Sequence, residues 1–272
     1  MSGSTKPPVG IKVFIIIAVV VVFIVGGRYL SSGPARVQTA TLALLDAAGR
    51  GDLADITRQI EAGAKVDGII PGAGNETEVS PPLLAAASAG KAEAVSMLLR
   101  HGAKADVRSG TKETALMLAA RSGNAPTLRA LIDAGGIGVD ETDADGRTAL
   151  MHAAASGWGE GVRMLVAAGA AVNAKDVVGR TPLSHAVSQA NGIEAATVLI
   201  AAWCDVNLAD AQGVTPLMHA SDSGAIASVF ALLNAGADAS IVDQQGRLAS
   251  DWAASREGTD ADLIRTALAQ AQ

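Results

Sequence analysis

Three histidines, His152, His185 and His219, recur at nearly equal spacing, each inside a short run of the type "TALMHAAASG". Imidazoles repeated in register suggest either a zinc site or general acid–base work. The elements that carry them argue against both. If each run is one layer of a stacked array, equivalent side chains lie roughly 10 Å apart. Zinc needs its ligands about 2 Å from one ion, and no carboxylate recurs beside the histidines along the chain. Packing is the expected role of these histidines, and no metal or other cofactor is expected.

Other reactive groups are equally sparse. Cys204 is the single cysteine, beside Trp203, so neither a disulfide framework nor a cysteine metal site can form. It reads as a small buried residue rather than a nucleophile. "AGGIGVD" (Ala134 to Asp140) lacks the lysine of a phosphate loop. Acids recur in turns, Asp143 and Asp145 being the richest pair, but calcium needs six or more oxygens. The expectation is a protein without catalysis.

Charge divides the chain. Residues 1–36 carry Lys6, Lys12, Arg28 and Arg36 and no acid, and the formal total of −6 leaves −10 for the remainder. An acidic body argues against nucleic-acid binding, which needs clustered Lys and Arg. "VFIIIAVVVVFIVGG" (Val13 to Gly27) is an unbroken apolar run. Read over residues 9–29, with Lys12 reaching the headgroups, it is long enough to span the hydrocarbon layer as a helix. Residues 1–8 are then a tail and 30–40 a short linker. The flanking charges favour a cytoplasmic N-terminus and a periplasmic body at a bacterial inner membrane. The alternative is a cleaved signal peptide, leaving a soluble exported companion that protects or inhibits an exported enzyme.

Beyond the linker the chain repeats. Motif starts fall at Pro81, Thr114, Thr148, Thr181, Thr215 and Leu248, a sustained period of about 33 residues. Thr at the start can cap a helix, and Pro182 and Pro216 occupy the first helical position, where no N–H is needed. Leu150, Leu183 and Leu217 point to a core. Ala pairs such as Ala153-Ala154 allow close approach, and Gly90, Gly123, Gly157 and Gly224 end the first helix. A second helix carries Leu98-Leu99, Leu131-Ile132, Leu165-Val166, Leu199-Ile200 and Leu232-Leu233. Then comes a turn with an aspartate shortly before a glycine: Asp143…Gly146, Asp176…Gly179, Asp210…Gly213 and Asp243…Gly246.

This pattern resembles the ankyrin repeat, on "GRTALMHAAASGWGEGVRMLVAAGAAVNAKD", "GRTPLSHAV" and "GVTPLMHASDSGAIASVFALLNAGADAS". The resemblance implies an all-α solenoid of about seven helix pairs with turn fingers. It covers residues 41–272, with a degenerate first unit at 41–68, well-matched units over 79–246 and a capping unit at 247–272. Two departures stand out. Trp203 takes the place of a helix-ending glycine, so a locally rebuilt turn is expected. Lys112 replaces a finger glycine, so that finger is expected to be reshaped.

The resemblance also implies that a protein partner docks on the concave face of a monomeric array. The stripe on the first helices is then Arg121, Ser122, Ser156, Gln189 and Asp222. The fingers supply Asp143, Asp145, Val177, Val178, Gln212 and Gln244. Val177-Val178 is explained equally by a partner or by packing on the next finger. Trp158 reads equally as an anchor for the partner or as core filler.

Overall fold

The computed structural model describes residues 33–68, 81–189, 191–254 and 259–271. The expected membrane-spanning segment lies outside them. No helix among the described residues is long and apolar enough to cross a membrane.

Among the described residues, fourteen helices form seven antiparallel pairs. The inner members are α1 (Gly33–Arg50), α3 (Pro82–Ser88), α5 (Ala115–Ser122), α7 (Ala149–Ala155), α9 (Pro182–Val187), α11 (Pro216–Ser223) and α13 (Ala249–Ala254). The outer members are α2 (Leu53–Glu61), α4 (Ala92–Arg100), α6 (Ala125–Ala134), α8 (Gly159–Ala167), α10 (Ile193–Ala201), α12 (Ile226–Asn234) and α14 (Thr259–Gln270). Helices touch their own pair mate and the matching helices of adjacent units, and the principal helix contacts follow this nearest-neighbour pattern. This is the solenoid's defining economy: each layer is too thin to bury itself, and its neighbours do the burying.

Local chemistry sets the helix ends. Thr114, Thr148, Thr181 and Thr215 each accept a hydrogen bond at their side-chain oxygen from an N–H in the first turn, at 3.2–3.3 Å. The helices so capped, α5, α7, α9 and α11, then bury all side chains but those at their C-terminal ends. Leu150, Leu183, Ala119, Ala120, Ala153 and Ala154 are fully buried.

Successive fingers are stitched together. In each, the aspartate N–H donates across the hairpin, as from Asp176 to Arg180 O at 3.0 Å. Single backbone bonds of 3.0 Å then run between neighbouring tips: Ala144 to Thr111, Val177 to Asp145, Ala211 to Val178 and Gln244 to Gln212. A second ladder uses side chains. Asp140 accepts from Ala171 N–H, Asn173 from Asp205 N–H and Asn207 from Asp238 N–H, at 2.8–2.9 Å.

Three expectations are corrected here. Residues from Gly33 onward are helical, so the stretch read as a linker to residue 40 is mostly the start of an 18-residue α1. The finger holding Lys112 keeps the common hairpin: Lys112 itself adopts φ 61°, and Ser109 Oγ accepts from Glu113 N–H as the aspartates do elsewhere. The turn at Trp203 is likewise not rebuilt. Trp203 adopts φ 61° where Gly63, Gly102, Gly169 and Gly236 adopt 87–90°. A side chain in that region costs about 1–2 kcal/mol. Trp203→Gly is therefore expected to raise the unfolding free energy by about 1 kcal/mol, read as a higher urea midpoint; an unchanged or lower midpoint contradicts the strain.

Candidate functional site

The recurring aspartates and histidines are one device. His152 Nε2 lies 2.9 Å from Asp143 Oδ2, His185 Nε2 2.9 Å from Asp176 Oδ2, and His219 Nε2 3.3 Å from Asp210 Oδ2. With a carboxylate as acceptor, the ring proton sits on Nε2. The other carboxylate oxygen accepts two backbone N–H groups of its own finger, for Asp176 those of Val178 and Arg180 at 3.0 and 2.8 Å. Each pair thus bolts a finger to the inner helix that follows it. The expectation that no carboxylate accompanies the histidines is corrected: the partner lies upstream in the chain, on the finger. In the last unit Trp252 takes the histidine's place and donates Nε1–H to Asp243 at 3.2 Å.

Arginines add a link between units. Arg147 Nε lies 4.0 Å from Asp176 of the next finger and Arg180 Nε 4.0 Å from Asp210. Val214 occupies the matching place in the following unit. Asp243 is served by Arg247 of its own finger instead, at 2.8 Å, and that guanidinium stacks on Trp252. Burial works to raise the Asp243 pKa, but the bonds from Arg247 and Gln245 outweigh it and hold the carboxyl below its ordinary range.

Burial lowers the pKa of both His185 and His219, the first against its bond to Asp176, the second with help from the Arg180 charge. A histidine whose folded pKa lies below its unfolded value costs stability in acid. The unfolded chain then takes up protons that the folded one refuses. Stability is expected to be level above about pH 6.5, the ordinary histidine pKa, and to fall as pH drops through the window beneath it. Unfolding midpoints in urea at pH 7.5 and 5.5 test this; the His185→Gln/His219→Gln variant should lose most of the slope, and a slope kept intact would contradict it.

The structure sorts the expected contact residues. Arg121, Ser122, Ser156, Gln189 and Asp222 are exposed along the C-terminal ends of the inner helices. Asp145, Gln212 and Gln244 are exposed at finger tips. Val177 and Val178 are 70% and 44% exposed, although Val177 leans over Gly146. One member of the set is corrected. Asp143 is buried and bonded within the fold, so its carboxylate faces no partner. Trp158, read equally as anchor or core filler, is half-buried on the core, its ring lying where a Gly161 side chain would stand. Sequence reading missed Arg147 and Arg180; the signal was an arginine immediately before the capping threonine in consecutive units.

Cys204 is buried, and burial pushes its thiol up to about 11, far from a reactive thiolate. Among the described residues no group of three or more His, Cys, Asp or Glu side chains converges as a metal site. The outer face between α4 and α6 forms an open groove bordered by Glu93, Arg100, Arg129 and Asp133, charges of both signs.

What remains is an extended surface of polar side chains and hydrogen-bonded finger tips, an arrangement suited to contact. The chain shares its fold with other stacked helix-pair proteins. An ankyrin repeat domain from Acinetobacter baumannii AYE is 31% identical, with a TM-score of 0.61, covering 71% of this chain and 97% of that one. The ankyrin repeat domain of Bcl-3, a member of the IkappaB protein family, is 27% identical with a TM-score of 0.67, covering 82% and 97%. The human ASB11 ankyrin repeat domain, 22% identical, shares the fold with a TM-score of 0.71 over 84% and 97%. No curated protein matches the chain. The family description "Ankyrin repeats (3 copies)" matches four overlapping stretches, 44–141, 83–176, 130–210 and 168–243. Together with the capped helix pairs and linked fingers, these matches show that the chain belongs to the ankyrin-repeat family.

Proposed function

We propose that the protein is a membrane-tethered ankyrin-repeat module that binds a protein partner through its inner-helix stripe and finger tips, without catalysis. The observation that carries this reading is the pair Val177 and Val178. They are 70% and 44% exposed at the tip of a finger that is hydrogen-bonded to its neighbours on both sides. Branched apolar side chains on a preorganised backbone contribute to association at little ordering cost. The stripe beneath them, Ser156, Gln189 and Asp222, offers hydroxyl, amide and carboxylate groups to a polar rim.

Residues 9–29 supply the tether, which concentrates the module at a bilayer surface. The flanking charges favour the periplasmic side of a bacterial inner membrane for the array; a reporter fused to the C-terminus tests that placement, and reporter activity on the cytoplasmic side would reverse it.

Val177→Asp/Val178→Asp is expected to reduce partner recovery in a pull-down from solubilised membranes by roughly tenfold or more, equivalent to about 1.4 kcal/mol. Both positions are exposed, so the array itself should unfold at an unchanged midpoint. Equal recovery of the same partner by both chains would remove the fingers from the binding surface.

A further inference from the structure

The outer layer changes character along the array. α4, α6 and α8 present charged side chains outward, among them Arg129 and Arg163. In α12 the position matching those arginines is Phe230, 45% exposed, and the helix contains no charged residue. In α10 the matching residue is Thr197, and Glu194 is its one charge, at the N-terminal end. Just past the C-terminus of α10 stands Trp203, 91% exposed and held at positive φ. A large ring in a strained backbone and in water gains nothing inside the fold; strain of this kind points to a use outside it.

The position of Trp203 says which use. In an antiparallel pair the inner helix begins, and the outer helix ends, at the finger side. Trp203 therefore lies at the finger end of the array. The chain also enters at that end: Thr41 of α1 accepts from Lys65 N–H, just past the end of α2, and α1 continues beyond it to Gly33. Only Leu30, Ser31 and Ser32 separate Tyr29, the end of the apolar segment, from Gly33. The four steps from Tyr29 to Gly33 reach about 14 Å at most. The finger end of the first unit thus lies close to whatever holds residues 9–29.

We propose that Trp203, with Phe230 on the next outer helix, rests in the interface of the bilayer that anchors the chain. The lipid surface is zwitterionic, because Asp205 and Asp238 flank the site as exposed carboxylates. Trp suits this boundary, with an apolar ring and a polar N–H. Contact by the outer layer leaves the stripe on the inner helices free for a protein. The proposal rests on the membrane tether proposed above.

The test uses the full chain reconstituted in phosphatidylcholine vesicles, with plain or brominated acyl chains. Bromine quenches indole only on contact. Trp203 is one of three tryptophans, and Trp158 and Trp252 are half-buried in the array. The wild-type chain should lose roughly a third of its emission in brominated vesicles, Trp203→Gly essentially none, and Phe230→Arg less than the wild type. Carbonate washing of the same vesicles reports the tether separately. If the chain stays in the pellet but emission is equal in both lipids, the array stands clear of the bilayer, Trp203 is left to a protein partner and this proposal fails alone. Equal quenching of wild type and Trp203→Gly overturns it too. Release of the chain by carbonate overturns the tether and the proposal together.

Discussion

Asp176→Ala is expected to lower the unfolding free energy by about 3–4 kcal/mol, among the larger effects a single side chain can have here. The carboxylate is buried and accepts three bonds: from Val178 N–H, Arg180 N–H and His185 Nε2–H. Alanine leaves all three donors without that acceptor, and the imidazole is too deeply buried for water to replace it. Asp176→Asn keeps an acceptor for the backbone pair and should cost about half as much. Asp145→Ala, one finger earlier and exposed, should stay within about 0.5 kcal/mol of the wild type. Urea unfolding followed by circular dichroism measures all three. A loss below about 1 kcal/mol for Asp176→Ala would mean that the fingers are not held through their carboxylates.

Gly179→Ala tests the stitching between fingers. Gly179 has φ 85°, and a β-carbon there would stand 2.7 Å from Ala211 N, the donor of the bond to Val178 O. The substitution therefore adds a collision with the neighbouring backbone to the strain of a left-handed residue. The expected loss is about 2–4 kcal/mol. Gly169 provides the contrast. Its φ is 90°, but nothing lies within 4 Å of its absent β-carbon. Gly169→Ala should cost the strain alone, about 1–2 kcal/mol. Equal losses in the two variants would show that finger contact contributes nothing beyond local conformation.

These contacts also explain which expectations survived. Caps, buried leucines and alanine pairs depend on residues within one turn of each other, and the regular period repeats them in every unit. They could be read along the chain. The Asp143–His152 device was missed because its two halves sit on different elements, a finger and a helix, although the same separation recurs in three units. Trp203 and Lys112 were misjudged for a related reason. Propensity argues against a side chain at positive φ, but the ladder on either side fixes the backbone, and an isolated residue must follow it.

By itself the sequence determined the period, the helix pairs, the turn residues and the apolar segment ahead of them. All of these follow from interactions between near neighbours, repeated until the pattern is unmistakable. Only the tertiary structure decided which polar residues face outward. Asp143 and Asp145 are both finger aspartates, almost adjacent in the chain, yet one is locked under a histidine and the other is exposed. Burial here is set by which finger residue the following helix folds over: His152, nine positions on, covers Asp143 and leaves Asp145 in water.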